Sequence, residues 1–119
     1  MKIYVDGSGK RPGAFCFVVP EKHIVRIFNQ AINDPITNNQ AEYKAFIEAL
    51  NWIKTNTIDE EIEVYSDSKV VVNQLNHTFA IKDDTLRNLA LEVWKLSERL
   101  NIKFIWVSRK ENKAGKVLG

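Results

Sequence analysis

Three carboxylates occupy positions from which they could act together. Asp6 closes the apolar run Ile3-Tyr4-Val5, Glu42 opens a helix-forming segment, and Asp67 closes the run Ile62 to Tyr65. Strand ends and helix starts are where an α/β domain displays reactive side chains at one rim of its sheet. Three anions gathered there repel one another unless a cation holds them together, so a divalent-metal site is the first expectation. Hard oxygen ligands suit Mg²⁺, which keeps several waters and takes substrate phosphate as a ligand. Two such ions, about 3.5–4 Å apart, divide the hydrolysis of a phosphodiester: one activates the attacking water and the other stabilises the leaving 3′-oxygen.

Each acid also has a purely structural explanation. Asp6-Gly7 is a turn dipeptide. Glu42 stands three residues after Asn39, the spacing of a capping box. Asp67 could cap the helix that follows it. Taken singly these readings hold; their conjunction at one rim favours chemistry. No other reactive constellation competes. His23 and His77 are the two histidines and Cys16 the single cysteine, so no Zn²⁺ cluster is in view. A Ser-His-Asp arrangement and a phosphate-cradling glycine loop are both missing from the sequence.

The elements that must position these acids can be read from periodicity. At 119 residues, 45% hydrophobic and 27% charged, the chain has the size and balance of one globular domain spanning 1–119. Residues 2–5 form a short strand ending in Asp6-Gly7-Ser8-Gly9. Residues 13–19 and 23–29 are β-rich and joined by Pro20-Glu21-Lys22. Residues 39–54 are helical, with Ala41, Ala45, Phe46, Ala49, Leu50 and Ile53 at three- and four-residue spacing. A strand over 61–66, a short helix over 68–75, a helix from the caps Asp83-Asp84 to Leu100, and a strand over 102–107 complete the order βββαβααβ.

Helical crossovers imply that strands 1, 4 and 5 are parallel, while the first three form an antiparallel meander. The expectation is a five-stranded mixed sheet with helices on both faces. Asp6, Asp67 and Ser108-Arg109 then lie at three carboxyl ends. Cys16, inside an apolar stretch, reads as a small buried hydrophobe. No apolar run approaches the roughly 20 residues of a bilayer span. A monomer in a reducing, cytoplasmic compartment, without a membrane partner, is expected.

The net charge is only +2, but its distribution is uneven. From Lys103 onward Arg109, Lys110, Lys113 and Lys116 face a single acid, Glu111, and the turn after Asp6 adds Lys10 and Arg11. If these segments share a face they suit a polyanion; otherwise they form a solvated basic tail.

The flanking residues carry a resemblance. Tyr4-Val5-Asp6-Gly7-Ser8, Thr37-Asn38-Asn39-Gln40-Ala41-Glu42, Tyr65-Ser66-Asp67-Ser68 and Trp106-Val107-Ser108-Arg109-Lys110-Glu111-Asn112 together resemble the signatures of type 1 ribonuclease H. The short link from Leu75 to Asp83 is similar to the compact archaeal and short bacterial members that lack a basic protrusion. The resemblance implies Mg²⁺- or Mn²⁺-dependent cleavage of the RNA strand of RNA–DNA hybrids, leaving 5′-phosphate and 3′-hydroxyl ends. It implies metal ligation by Asp6, Glu42 and Asp67, with the Gly7 backbone beside them. Substrate contacts are implied for Gly7, Ser8, Asn38, Asn39 and Ser68. Short polar side chains of this kind can bond a 2′-hydroxyl, which DNA lacks. Arg109, at the exit of the last strand, is the candidate phosphate contact.

The pattern breaks near the end. The family's Arg-x-x-Asn leads to a helix with a fourth carboxylate, and counting from Asn112 puts Lys116 there, after Gly115. The family's catalytic-loop histidine also has no counterpart. Three readings stay open: three carboxylates with an extra water, Glu111 as substitute ligand, or a protein that binds hybrids and cleaves poorly. The expectation is retained, weakened activity that favours Mn²⁺, with a non-cleaving hybrid-binding homologue as the alternative. A resolvase- or integrase-like nuclease is a third class, disfavoured by the Thr37–Glu42 segment. Gly115 and Gly119 each cost about 1 kcal/mol in a helix interior relative to Ala, so a poorly ordered tail is expected.

Overall fold

The computed structural model describes residues 1–10 and 12–118, so Arg11 of the basic turn and Gly119 of the tail lie outside the described residues. Its strands are β1 (Lys2–Ser8), β2 (Ala14–Val19), β3 (Ile24–Asn29), β4 (Ile62–Ser66) and β5 (Ile102–Trp106). The helices are α1 (Asn38–Thr55), α2 (Lys69–Leu75) and α3 (Asp84–Ser97). Pro20–Lys22 makes a 3₁₀ turn that closes on His23 at φ 54°, and this reverses the chain between β2 and β3.

The sheet order is β3-β2-β1-β4-β5, with the first three strands antiparallel and β1, β4 and β5 parallel, as the pattern predicts. Two details of register shape the site. β1 runs past its expected end, because Asp6 pairs with Cys16, Gly7 with Phe15 and Ser8 with Ala14. On its other side, β1 pairs with β4 only over Lys2–Tyr4 against Glu63–Tyr65. The two central strands therefore part company just before Asp6 and Asp67, leaving an opening between their carboxyl ends.

One face of the sheet carries all three helices, which corrects the expectation of helices on both. Ile3, Val5, Phe15, Phe17, Val19, Ile62 and Val64 share a single core with Phe46, Leu50 and Ile53 of α1, Val71 and Leu75 of α2, and Ala90 and Val93 of α3. α1 lies on β1 and β2, and α3 packs chiefly on α1. Alternation along the strands sends Tyr4, Cys16 and Val18 to the opposite face, where Ala114, Val117 and Leu118 of the tail cover them.

No helix follows β5 among the described residues, but the tail is not loose. Successive turns link Asn112 N–H to Ser108 O (3.0 Å), Gly115 N–H to Asn112 O (2.9 Å) and Val117 N–H to Ala114 O (3.2 Å). Asn112 and Ala114 are buried. Poor helix propensity was the wrong guide to order here, because turns anchored by buried side chains do not need it. No helix among the described residues is long and apolar enough to cross a membrane.

Candidate active site

Asp6, Glu42 and Asp67 converge: each offers an oxygen within 4.8 Å of the others. β1 supplies Asp6, the second turn of α1 supplies Glu42, and Asp67 follows the last residue of β4. Asp6 and Glu42 are buried and Asp67 half-buried. The structural jobs that could have explained them belong to other residues. Thr37 and Gln40 form the capping box of α1, and Ser68 caps α2 by accepting from Val71 N–H at 3.2 Å. Asp6 sits inside a ladder and not in a turn.

Close backbone approach brings Glu42 in. A Cβ on Gly7 would lie 2.5 Å from Ala41 O and Glu42 N, so only glycine lets α1 settle on β1 here. The Gly7 N–H then donates to Glu42 Oε1 at 2.8 Å, while Ser66 Oγ donates to Glu42 Oε2 at 3.1 Å. Gly9 plays the same part beside Asn38, donating its N–H to Asn38 Oδ1 at 2.6 Å. On the far side, Asn112 Nδ2 donates to Asp67 Oδ2 at 3.1 Å and to Val5 O at 3.0 Å. The sequence marks Asn112 only as part of a motif; its contact with Asp67 depends on how the tail folds back.

Burial pushes the Glu42 carboxyl up to about 8, reinforced by the neighbouring Asp6. Burial likewise raises Asp6, with Asp67 adding repulsion and Arg109 offsetting part of it. Among the described residues no lysine or arginine forms an ion pair with any of the three acids. The cluster is thus short of positive charge, and its all-oxygen donor set fits a hard divalent cation. Such an ion can be held by Asp6, Glu42 and Asp67. Cys16, opposite Asp6, is pushed up to about 12 by burial and then by Asp6 and Glu42, so its thiol stays protonated and inert.

A cleft of about 290 Å³ opens beside the acids and is lined by all six expected substrate-binding residues: Gly7, Ser8, Asn38, Asn39, Ser68 and Arg109. Lys10, Gly115 and Leu118 complete its wall. The other tail residues go elsewhere. Glu111 is not brought to the cluster: it accepts from Ser108 Oγ at 3.0 Å and lines a groove on the second face with Lys2, Tyr4 and Tyr65. Lys116 is exposed and does not line the cleft.

The basic residues also divide instead of forming one patch. Lys10 and Arg109 border the cleft, Lys110 and Lys113 line the second-face groove, and Lys103 pairs with Glu61 at 3.0 Å near the amino end of β5. His77 stacks on Trp94, away from the acids. Sequence reading missed one further neighbour: Trp106 donates its indole N–H to Asp67 O at 3.1 Å and lies under the Lys69 ammonium at 4.6 Å.

Known proteins are similar to this chain in sequence and in fold. The family described as "Reverse transcriptase-like" matches residues 5–118. A ribonuclease H of Caldicellulosiruptor saccharolyticus is 31% identical over 106 residues, covering 87% of this chain and 66% of that protein. The N-terminal RNase H domain of rv2228c from Mycobacterium tuberculosis superposes with a TM-score of 0.82 at 28% identity, covering 99% of this chain and 88% of that one. LC11-RNase H1, solved in complex with an RNA/DNA hybrid, superposes at 0.81 with 25% identity over 98% of this chain and 91% of its own. Together with the acidic cluster, these relatives support a ribonuclease H-like hydrolase.

Proposed function

Because this chain belongs to the reverse transcriptase-like family and is built like the ribonucleases H it resembles, we propose that it hydrolyses the RNA strand of RNA–DNA hybrids, leaving 5′-phosphate and 3′-hydroxyl ends. The observation that carries this reading is the trio of acids without a basic partner among the described residues; two of the three, Asp6 and Glu42, line a polar, Asn-lined cleft. Asp6, Glu42 and Asp67 are the residues that hold divalent cations, Mg²⁺ or Mn²⁺, beside the Gly7 backbone. When bound, two such ions supply an activated water and stabilise the departing 3′-oxygen.

The chain's own groups do the rest. Asn38 and Asn39 stand at the start of α1, where side-chain amides can both donate to and accept from 2′-hydroxyls and base edges of the minor groove. Gly7, Ser8 and Ser68 offer small polar contacts that let the backbone of a substrate approach closely. Arg109 and Lys10 flank the cleft as phosphate partners. Phosphate contacts and groove shape suffice for an enzyme that reads no sequence.

The runner-up is a hybrid-binding homologue with weak turnover or none. It draws on the three-acid cluster, which has no fourth carboxylate among the described residues. One experiment separates the two. Labelled RNA–DNA hybrid, duplex DNA and duplex RNA are incubated with the protein in Mg²⁺ or Mn²⁺. Hybrid-only cleavage, faster in Mn²⁺ and abolished by Asp67→Asn, is the expected result. Tight hybrid binding without cleavage in either ion would overturn it in favour of the second reading.

A further inference from the structure

The tail enters the acidic cluster through a single side chain. The β1–β4 ladder ends at Tyr4 opposite Tyr65, and Asn112 sits across the opening just beyond. Its Nδ2 carries two hydrogens, which reach Val5 O at 3.0 Å and Asp67 Oδ2 at 3.1 Å, so both bonds form at once. Its Oδ1 accepts from Ala114 N–H at 3.0 Å. The orientation of the amide is therefore unambiguous. Turned over, it would set an oxygen against two acceptors and a donor against a donor. With 4% exposure, the group has no room to swing to solvent.

Asp67 has the opposite character. It is half-buried, stands outside any ladder, and has two other acids within 4.8 Å. Its terminal torsion is soft. Among the described residues no donor other than Asn112 reaches its carboxylate. We propose that Asn112 is a positioning residue: by holding Asp67 Oδ2 it presets the carboxylate for cation binding and so sets the divalent-cation affinity of the cluster. The tail completes the site with a neutral donor on a ligand. Lys116, the position at which a further acid is expected from the sequence, takes no part in this contact. The proposal rests on the ribonuclease H reading of the cluster.

Outer partners of metal-ligating carboxylates are worth about 10–100-fold in metal affinity. Calorimetric titration of the protein alone with Mn²⁺ is therefore expected to show at least about a tenfold weaker dissociation constant for Asn112→Ala. Raising Mn²⁺ to saturation should restore kcat while leaving KM for the hybrid unchanged. Asn112→Ser guards against a misfolded alanine variant: its hydroxyl can still accept from Ala114 N–H but is too short to hold Asp67, and the same loss of affinity is expected. In an Asp67→Ala background, Asn112→Ala should add no further loss, because the effect acts through Asp67. A folded Asn112 variant that binds Mn²⁺ as tightly as the wild type would overturn the proposal. So would a loss of equal size with and without Asp67. Hybrid cleavage by the wild type is scored separately, so failure of the ribonuclease reading is seen independently of failure at Asn112.

Discussion

At the scale of single residues, the site is governed by the cost of burying negative charge. Glu42 is held at both oxygens, by Gly7 N–H and Ser66 Oγ, yet burial still raises it from 4.5 to about 8. Its folded-state value lies above its unfolded one, so between those values the native protein holds the extra proton. The cation-free fold therefore loses stability as pH rises from about 4.5 to about 8, and a divalent cation, which favours the anion, flattens that slope. Melting temperatures in EDTA across that window should fall with pH for the wild type and stay flatter for Glu42→Gln. Equal slopes for the two proteins would show that another group carries the titration. The same Gln substitution should abolish cleavage. That Glu42 belongs with Asp6 and Asp67 was legible in its neighbours, Thr37 to Ala41. That its neighbour at the helix start, Thr37, does the capping was not, because two cap spacings overlap there and only the fold selects one.

At the scale of elements, the decisive contact is α1 on β1, and it turns on the lack of a side chain. In the sequence Asp6-Gly7 reads as a turn, whereas the β2 ladder carries the strand through to Ser8. What the glycine supplies is space, since both of the groups nearest to an added Cβ are backbone. Gly7→Ala must therefore push α1 away and carry Glu42 with it. A destabilisation of about 1–3 kcal/mol is expected from overpacking alone. Urea unfolding measures that loss, and Mn²⁺ calorimetry should show a larger proportional loss of cation affinity. An alanine variant with unchanged cation affinity would mean that the helix position does not control the cluster. The strand ends were easier to read, since Asp6 and Asp67 each close a run of apolar residues. The helix termini were mixed: Asp83 is the cap of α3 as its spacing suggests, while Ser68 and not Asp67 caps α2.

At the scale of the whole molecule, the layers are unequal. Three helices cover one face, and a short run of turns covers the middle of the other. Ala114, fully buried, is the point where that cover meets Tyr4, Cys16 and Val18. Placing a carboxylate there by Ala114→Asp buries a charge without a partner, for which a loss of about 3 kcal/mol or more is expected. Thermal denaturation should register it, along with weaker cation binding, because the neighbouring Asn112 loses its anchor. A variant of wild-type stability would mean that the tail is not held by this residue. Local pattern was enough to determine the strand and helix order, the parallel centre of the sheet and the identity of the three acids. Each of these follows from near-neighbour periodicity and turn chemistry, or from motifs that survive in order along the chain. Which face the helices chose, how the basic residues were divided, and how Asn112 came to hold Asp67 were decided by tertiary structure alone. Those outcomes depend on which distant apolar surfaces meet, and residues 107 positions apart, such as Val5 and Asn112, leave no periodic trace of their contact.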